Sequence, residues 1–182
     1  TRKESSAASD VYKDSRQAGT AAQLVQWLQS LTVKEQAPAG TPEEISNGRF
    51  ISRVYHSSLQ PRNDKDPAGI SEGYDFDPTQ QMPGGNSPTF SIFLAEEAYA
   101  KYLPHYTTYF IVRILYASVH VLTTAASTSL GGVESLVERR VCSNPQEHPN
   151  LIRLSVGLED FADLQADLIE AMLKARKHVQ SS

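Results

Sequence analysis

Side chains able to do chemistry are present in this sequence, but they are dispersed. The histidines, His56, His105, His120, His148 and His178, include no pair at metal-ligand spacing. Cys142 has no second thiol to join it, so no zinc site is expected. There is no Walker loop and no GxGxxG. Gly84-Gly85 and Gly131-Gly132 lack the further glycines of a phosphate cradle, and taken alone each pair reads as a turn. Ser129 and Ser143 stand in no nucleophile elbow. Glu134, Glu138, Glu159 and Asp160 read as solvated or capping carboxylates.

The bulk properties exclude more than they assign. The 182 residues carry 40% hydrophobic and 21% charged side chains, the balance of a globular domain with a core. The net charge of -4 leaves no basic field for a nucleic-acid backbone, so no nucleic-acid partner is expected. The most apolar run, Ile111 to Leu122, is too short for a bilayer and contains Arg113 and His120, so no membrane partner is expected either. The opening TRKESSAASD has no apolar stretch behind it. A single cysteine excludes an internal disulfide and suits a reducing compartment, which makes the cytoplasm the expected location. The chain begins at Thr1, as a fragment or a processed chain would.

Any site must be held by the elements that periodicity predicts. Residues 1–15 read as a frayed lead. Arg16 to Leu31 has Ala21, Leu24, Val25, Leu28 and Leu31 at helical spacing. Thr32 to Asn47 reads as loop. Phe50 to Tyr55 and Thr89 to Leu94 read as strands, and Pro61 to Gly73 as a surface connection. Ala95 to Leu103 is expected to be a helix that stops at Pro104. Tyr109 to Leu122 is read as strand, with a buried helix as the other option. A short strand at Val133 to Val137 follows. In a strand from Leu151 to Val156, Arg153 and Ser155 share one face, Leu154 and Val156 the other. The last helix carries Leu158, Phe161, Leu164, Leu168 and Met172 in one stripe, with acids at its start and bases at its end. The order implies an α+β fold, a mainly antiparallel sheet with helices on one face.

Two blocks carry a resemblance that goes further. Thr128 to Glu138 (TSLGGVESLVE) and Asn150 to Asp160 (NLIRLSVGLED) resemble, in order, two blocks of the cystathionine γ-synthase, γ-lyase and β-lyase family. These are pyridoxal-phosphate (PLP) enzymes of cysteine and methionine metabolism. Val54 to Gln60 (VYHSSLQ) and Gln81 to Phe90 (QMPGGNSPTF) resemble a strand and a glycine turn of the same family, and Arg16 to Leu31 resembles the tail of its interdomain helix. The wording SLGGVESLVERR, with a short spacer before LIRLSVGLED, is most similar to a fungal-type subgroup of cystathionine γ-synthase-like proteins. The resemblance implies that residues 16–182 are the C-terminal small domain of a fold-type I PLP-dependent transferase. Arg153 would then bind the substrate carboxylate, for which a guanidinium fork is suited because it makes two parallel charge-assisted hydrogen bonds. Otherwise it would be an arginine in a surface salt bridge. Ser129 would lie beside the same carboxylate; otherwise it caps a turn. Gly131 and Gly132 would let the backbone turn close to the active site. Ser155, Gly157 and Glu159 would be structural.

The resemblance also implies what is not supplied. The family's cofactor lysine sits in a larger N-terminal domain, and none of Lys3, Lys13, Lys34, Lys65, Lys101, Lys174 and Lys177 has the S-x-T-K-Y-type setting of that lysine. No catalytic residue is therefore assigned. The family is homo-oligomeric and acts on amino-acid substrates, as lyase or transferase. Thr128 stands where lyase members often carry glutamate, which leaves the reaction type open. The Ile111 to Leu122 run lengthens the family pattern. The alternative to an enzyme part is a non-catalytic truncated paralogue that acts as an interaction module on a full-length relative.

Overall fold

The computed structural model describes residues 2–33, 38–59, 85–112 and 132–181, with side chains from residue 14 onward except those of Ile111 and Val112. Helix α1 spans Arg2–Thr32, β1 Ile51–Tyr55, β2 Thr89–Leu94, α2 Glu97–Tyr106, β3 Ile111–Val112, β4 Leu136–Arg139, β5 Leu151–Ser155 and α3 Phe161–Gln180. The sheet order is β1-β2-β5-β4-β3. The first four strands in that order are antiparallel, and β3 pairs with β4 in parallel at the edge. This is the expected α+β layering, with the three helices on one face of the sheet.

That face is set by alternation. Phe90, Ile92 and Leu94 of β2 point into the core, with Ile152 and Leu154 of β5 and Val137 of β4 beside them. Opposite them lie Ala21, Leu24, Val25, Leu28 and Leu31 of α1, the stripe expected from spacing. Leu164, Leu168 and Met172 of α3 complete the layer, with Ala171 and Ala175 between the larger groups. Each fully buried leucine contributes about 2 kcal/mol of apolar transfer. In β1 the alternation breaks: Ile51 and Val54, three residues apart, are both buried. A register shift between Ile51 and Arg53 accounts for this, since the extra residue of a bulge returns the chain to the core face.

Three expectations need correction, and a fourth lies mostly outside the described residues. The backbone of α1 starts at Arg2, so the helix includes the stretch read as a frayed lead. The chain from Arg2 to Ala18 has no glycine or proline to stop it, and Ala7 and Ala8 favour helix. Pro104 lies inside α2, which runs on to Tyr106. Its missing N–H costs one bond near the helix end, and its ring is buried. Strand β4 runs from Leu136 to Arg139 rather than from Val133 to Val137. Only Ile111 and Val112 of the long apolar run form described strand; residues 113–122 lie outside the described residues.

A buried carboxylate ties the helical layer to the sheet edge. Asp167 of α3 is buried, and its oxygens accept the backbone N–H groups of Thr108 (2.8 Å) and Tyr109 (3.0 Å). Periodicity does not reveal this residue, because a polar group on an apolar stripe reads as an interruption. Nearby, Tyr99 stacks on Phe50 with ring centroids 4.5 Å apart. Burial pushes the Tyr99 phenol above its ordinary 10.0; the Glu96 carboxylate adds to this and Arg176 opposes it. The folded state therefore holds that proton more tightly than the unfolded chain. The linked stability is fully present below about pH 10 and is lost as pH rises through the folded value. The melting temperature is expected to fall as pH rises above about 10, and to fall less in Tyr99→Phe. Equal falls in the two proteins would assign the alkaline loss to other groups.

Candidate functional site

The sheet face away from the helices carries a row of polar side chains fixed by strand register. Tyr55 of β1 is opposite Ser91 of β2, Ser91 opposite Arg153 of β5, and Arg153 opposite Glu138 of β4. The expected division of β5 holds: Arg153 shares the row, while Leu154 pairs with Phe90 and Val137 on the core face.

Arg153 is an ion-pair partner in this structure. Its Nη2 is 3.0 Å from Oε2 of Glu138, whose side chain is only 4% exposed against 25% for the arginine. Arg140 donates from Nη1 to the other oxygen, Oε1, at 3.2 Å. Glu138 was expected to be a solvated or capping residue; it is instead a buried carboxylate between two guanidinium groups. The Arg153 contact lacks hydrogen-bond alignment, so attraction between charges holds it. Arg140 also reaches Glu147 through Nη2 at 4.0 Å. One buried negative charge thus faces two positive ones.

The two sequence blocks meet in a clasp beside this row. Ser135 donates from N to Oε1 of Glu159 and from Oγ to Oε2, both at 2.8 Å. Gly157 N–H donates to Ser135 Oγ at 2.8 Å, and Leu158 N–H to the Val133 carbonyl at 2.9 Å. A Cβ on Gly157 would lie 2.4 Å from the Val133 oxygen. Glu159 is thus held by Ser135 and is not a solvated acid. Asp160 precedes α3 without a side-chain cap bond and pairs instead with Arg16, at 2.8 Å.

Helix α1 holds the clasp from behind. The buried Gln17 donates from Nε2 to the Gly132 carbonyl. Ala18 lies against Gly85, where a Cβ would be 3.1 Å from the alanine's own. Gly85 also has φ +125°, a backbone state that favours glycine. The turn after Gly85 is clipped to the end of β1. His56 donates from Nε2 to the Ser87 carbonyl at 2.8 Å, which assigns Nδ1 as acceptor from Ser58. Ser57 donates to Asn86 Oδ1 at 2.9 Å. His56 is therefore a satisfied, buried histidine.

Of the residues singled out from sequence, Arg153 is on the open face. Ser129 lies outside the described residues, as do Thr128 and Gly131. Cys142 is exposed and unbridged. Among the described residues no three acidic, histidine or cysteine side chains could hold a metal, and no helix is long and apolar enough to cross a membrane. A shallow groove of about 530 Å³ between α1 and the start of α3, lined by Arg16, Thr20, Gln23 and Asp160, does not include Arg153. The lysines with described side chains, Lys101, Lys174 and Lys177, belong to α2 and α3. Lys101 lies over the Tyr102 ring and Lys174 pairs with Glu170. Among the described residues, these lysines belong to the helical layer and not to the sheet face of Arg153.

No family model matches the chain. Solved structures do share its fold. MetB of Corynebacterium glutamicum superposes with TM-score 0.54 at 20% identity, over 90% of this chain and 34% of that one. CalE6, a methionine gamma lyase from Micromonospora echinospora, superposes with TM-score 0.53 at 24% identity, over 89% of this chain and 35% of that one. The chain therefore spans about a third of the length of these structures and has the α+β fold of that third.

Proposed function

We propose that this chain supplies the C-terminal, substrate-binding domain of a PLP-dependent trans-sulfuration enzyme, with Arg153 taking the α-carboxylate of a cystathionine-, homoserine- or cysteine-type amino acid. The observation that carries this reading is Arg153 at the centre of the open sheet face, in the strand that leads into the second half of the clasp. Two further facts support it: SLGGVESLVE and LIRLSVGLED occur in family order, and the fold is shared with MetB and a methionine gamma lyase. Ser129, three residues before the Gly132 that Gln17 holds, would sit beside the same carboxylate.

In this role the chain binds and orients. A guanidinium fixed by Glu138 meets the carboxylate in a defined direction, so the reacting bond is aimed before chemistry starts. Pyridoxal phosphate, held by the larger domain of the parent enzyme, would supply the electron sink. The parent would be a homo-oligomer in the cytoplasm, and the fungal-type γ-synthase-like subgroup is the branch whose wording fits best.

The binding role is tested by titrating the ¹⁵N-labelled chain with L-cysteine and with cysteamine, which lacks the carboxylate, while following the Arg153 Nε–Hε signal. L-Cysteine is expected to shift it saturably and cysteamine to leave it in place. Arg153→Met, followed through the backbone amides of β4 and β5, should weaken binding at least about tenfold, the scale of a charge-assisted hydrogen bond. Equal responses to both compounds, or undiminished binding by Arg153→Met, would reject the role. The non-catalytic module on a full-length relative accounts equally well for the described lysines, which all belong to the helical layer. Genomic sequence upstream of Thr1 separates the readings. An in-frame larger domain with the cofactor lysine supports the enzyme, and a start codon immediately upstream supports the module.

A further inference from the structure

We infer that Glu138 is a positioning and specificity-determining residue for Arg153, tuning this face to a single carboxylate by removing the preference for doubly charged groups that two arginines would have. The inference rests on the carboxylate-binding reading of Arg153 and extends it to the charge the site accepts.

The argument begins with burial. Glu138 is 3% exposed, so its charge is separated from water and depends on its neighbours. Those neighbours are Arg140 at 3.2 Å on one oxygen and Arg153 at 3.0 Å on the other. Glu147 stands further off, 4.0 Å from Arg140, with a side chain 35% exposed, so water screens much of its effect. Without Glu138, two guanidinium groups would converge on the open face with nothing buried between them. Such a pair is suited to a phosphate or a dicarboxylate. Glu138 offsets one of these two guanidinium charges, which suits the face to one carboxylate. The same contact fixes direction. Arg153 and Glu138 are directly opposed across β5 and β4, so Glu138 limits how far the guanidinium can swing.

The experiment compares acetate with succinate at low ionic strength, reading the Arg153 Nε–Hε signal in the ¹⁵N-labelled chain and the backbone amides of β4 and β5, which also report binding in Arg153→Met. The wild-type chain is expected to bind the two with similar affinity. Glu138→Gln keeps the shape and removes the charge. It should tighten both, and raise the succinate-to-acetate affinity ratio by about five- to tenfold, the effect of one further charge at a partly solvated site. Arg140→Gln removes one positive charge while Glu138 remains, and should weaken both ligands without raising the ratio. It also tests the proposal should Glu138→Gln fail to fold. An unchanged ratio in Glu138→Gln, or unchanged affinities in Arg140→Gln, overturns the proposal. If Arg153→Met abolishes acetate binding while these variants behave as wild type, only the Glu138 inference falls. If Arg153→Met binds acetate like wild type, the carboxylate reading of Arg153 fails, and the Glu138 inference falls with it.

Discussion

Gly157→Ala is expected to cost the fold about 3 kcal/mol, the upper part of the range for overpacking a tight site. The added methyl would meet the Val133 oxygen at 2.4 Å, Glu159 Oε2 at 2.5 Å and the Glu134 carbonyl carbon at 2.6 Å. Two of these atoms are backbone, so no rotamer change relieves the contact. The chain must part where Leu158 N–H reaches Val133 and where Ser135 grips Glu159. Hydrogen bonds to a carboxylate contribute about 1.5–3 kcal/mol each, so losing part of the grip is costly. Urea denaturation of the variant and wild type measures the difference. A loss below about 0.5 kcal/mol, the scale of a neutral surface change, would mean the clasp opens freely. Because the clasp adjoins β4 and β5, the folded fraction of the variant should also respond less to L-cysteine.

Arg153→Leu has the second large effect, and the interest lies in its dependence on Glu138. Removing the arginine leaves a buried carboxylate with Arg140 alone, a cost of about 3 kcal/mol by analogy with broken buried pairs. Removing Glu138 instead leaves two arginines, each with about a quarter of its side chain exposed, which can turn toward water. Glu138→Leu should therefore cost less, about 1 kcal/mol. In the Glu138→Leu background the further change Arg153→Leu should cost under about 1 kcal/mol. Denaturation of all four proteins gives the coupling directly. Strict additivity would show that the 3.0 Å contact contributes nothing to stability.

The contrast between Arg153 and Glu138 shows what the sequence could and could not reveal. Thr89–Leu94, the α1 stripe and the face of Arg153 follow from alternation and period alone. Glu138 does not. Strand β4 starts at Leu136, because Val133 to Ser135 belong to the clasp, and a glutamate expected just past a strand looks solvated. Its partner Arg153 is fifteen positions away, and only the register of β4 against β5 brings them together. Asp167 is hidden in the sequence for a related reason: its purpose is set by the backbone of Thr108 and Tyr109, far away in sequence. Pro104 does not end α2, because so little helix remains after it that the lost N–H bond is tolerated. Ser129 follows from resemblance alone and falls among residues 113–131, outside the described structure.

The grip of α1 has a mechanical consequence. Arg16, Gln17 and Ala18 are consecutive, yet they meet three distant segments at Asp160, Gly132 and Gly85. Successive residues of a helix are about 100° apart, so these contacts surround much of the circumference instead of lying along one side. A helix held this way cannot roll or slide by a fraction of a turn without losing at least one of them. Torque applied along the segment that reaches back to Arg2 would therefore be delivered to the Gly132 turn as an all-or-none change of register, making α1 less a strut than a shaft with a key.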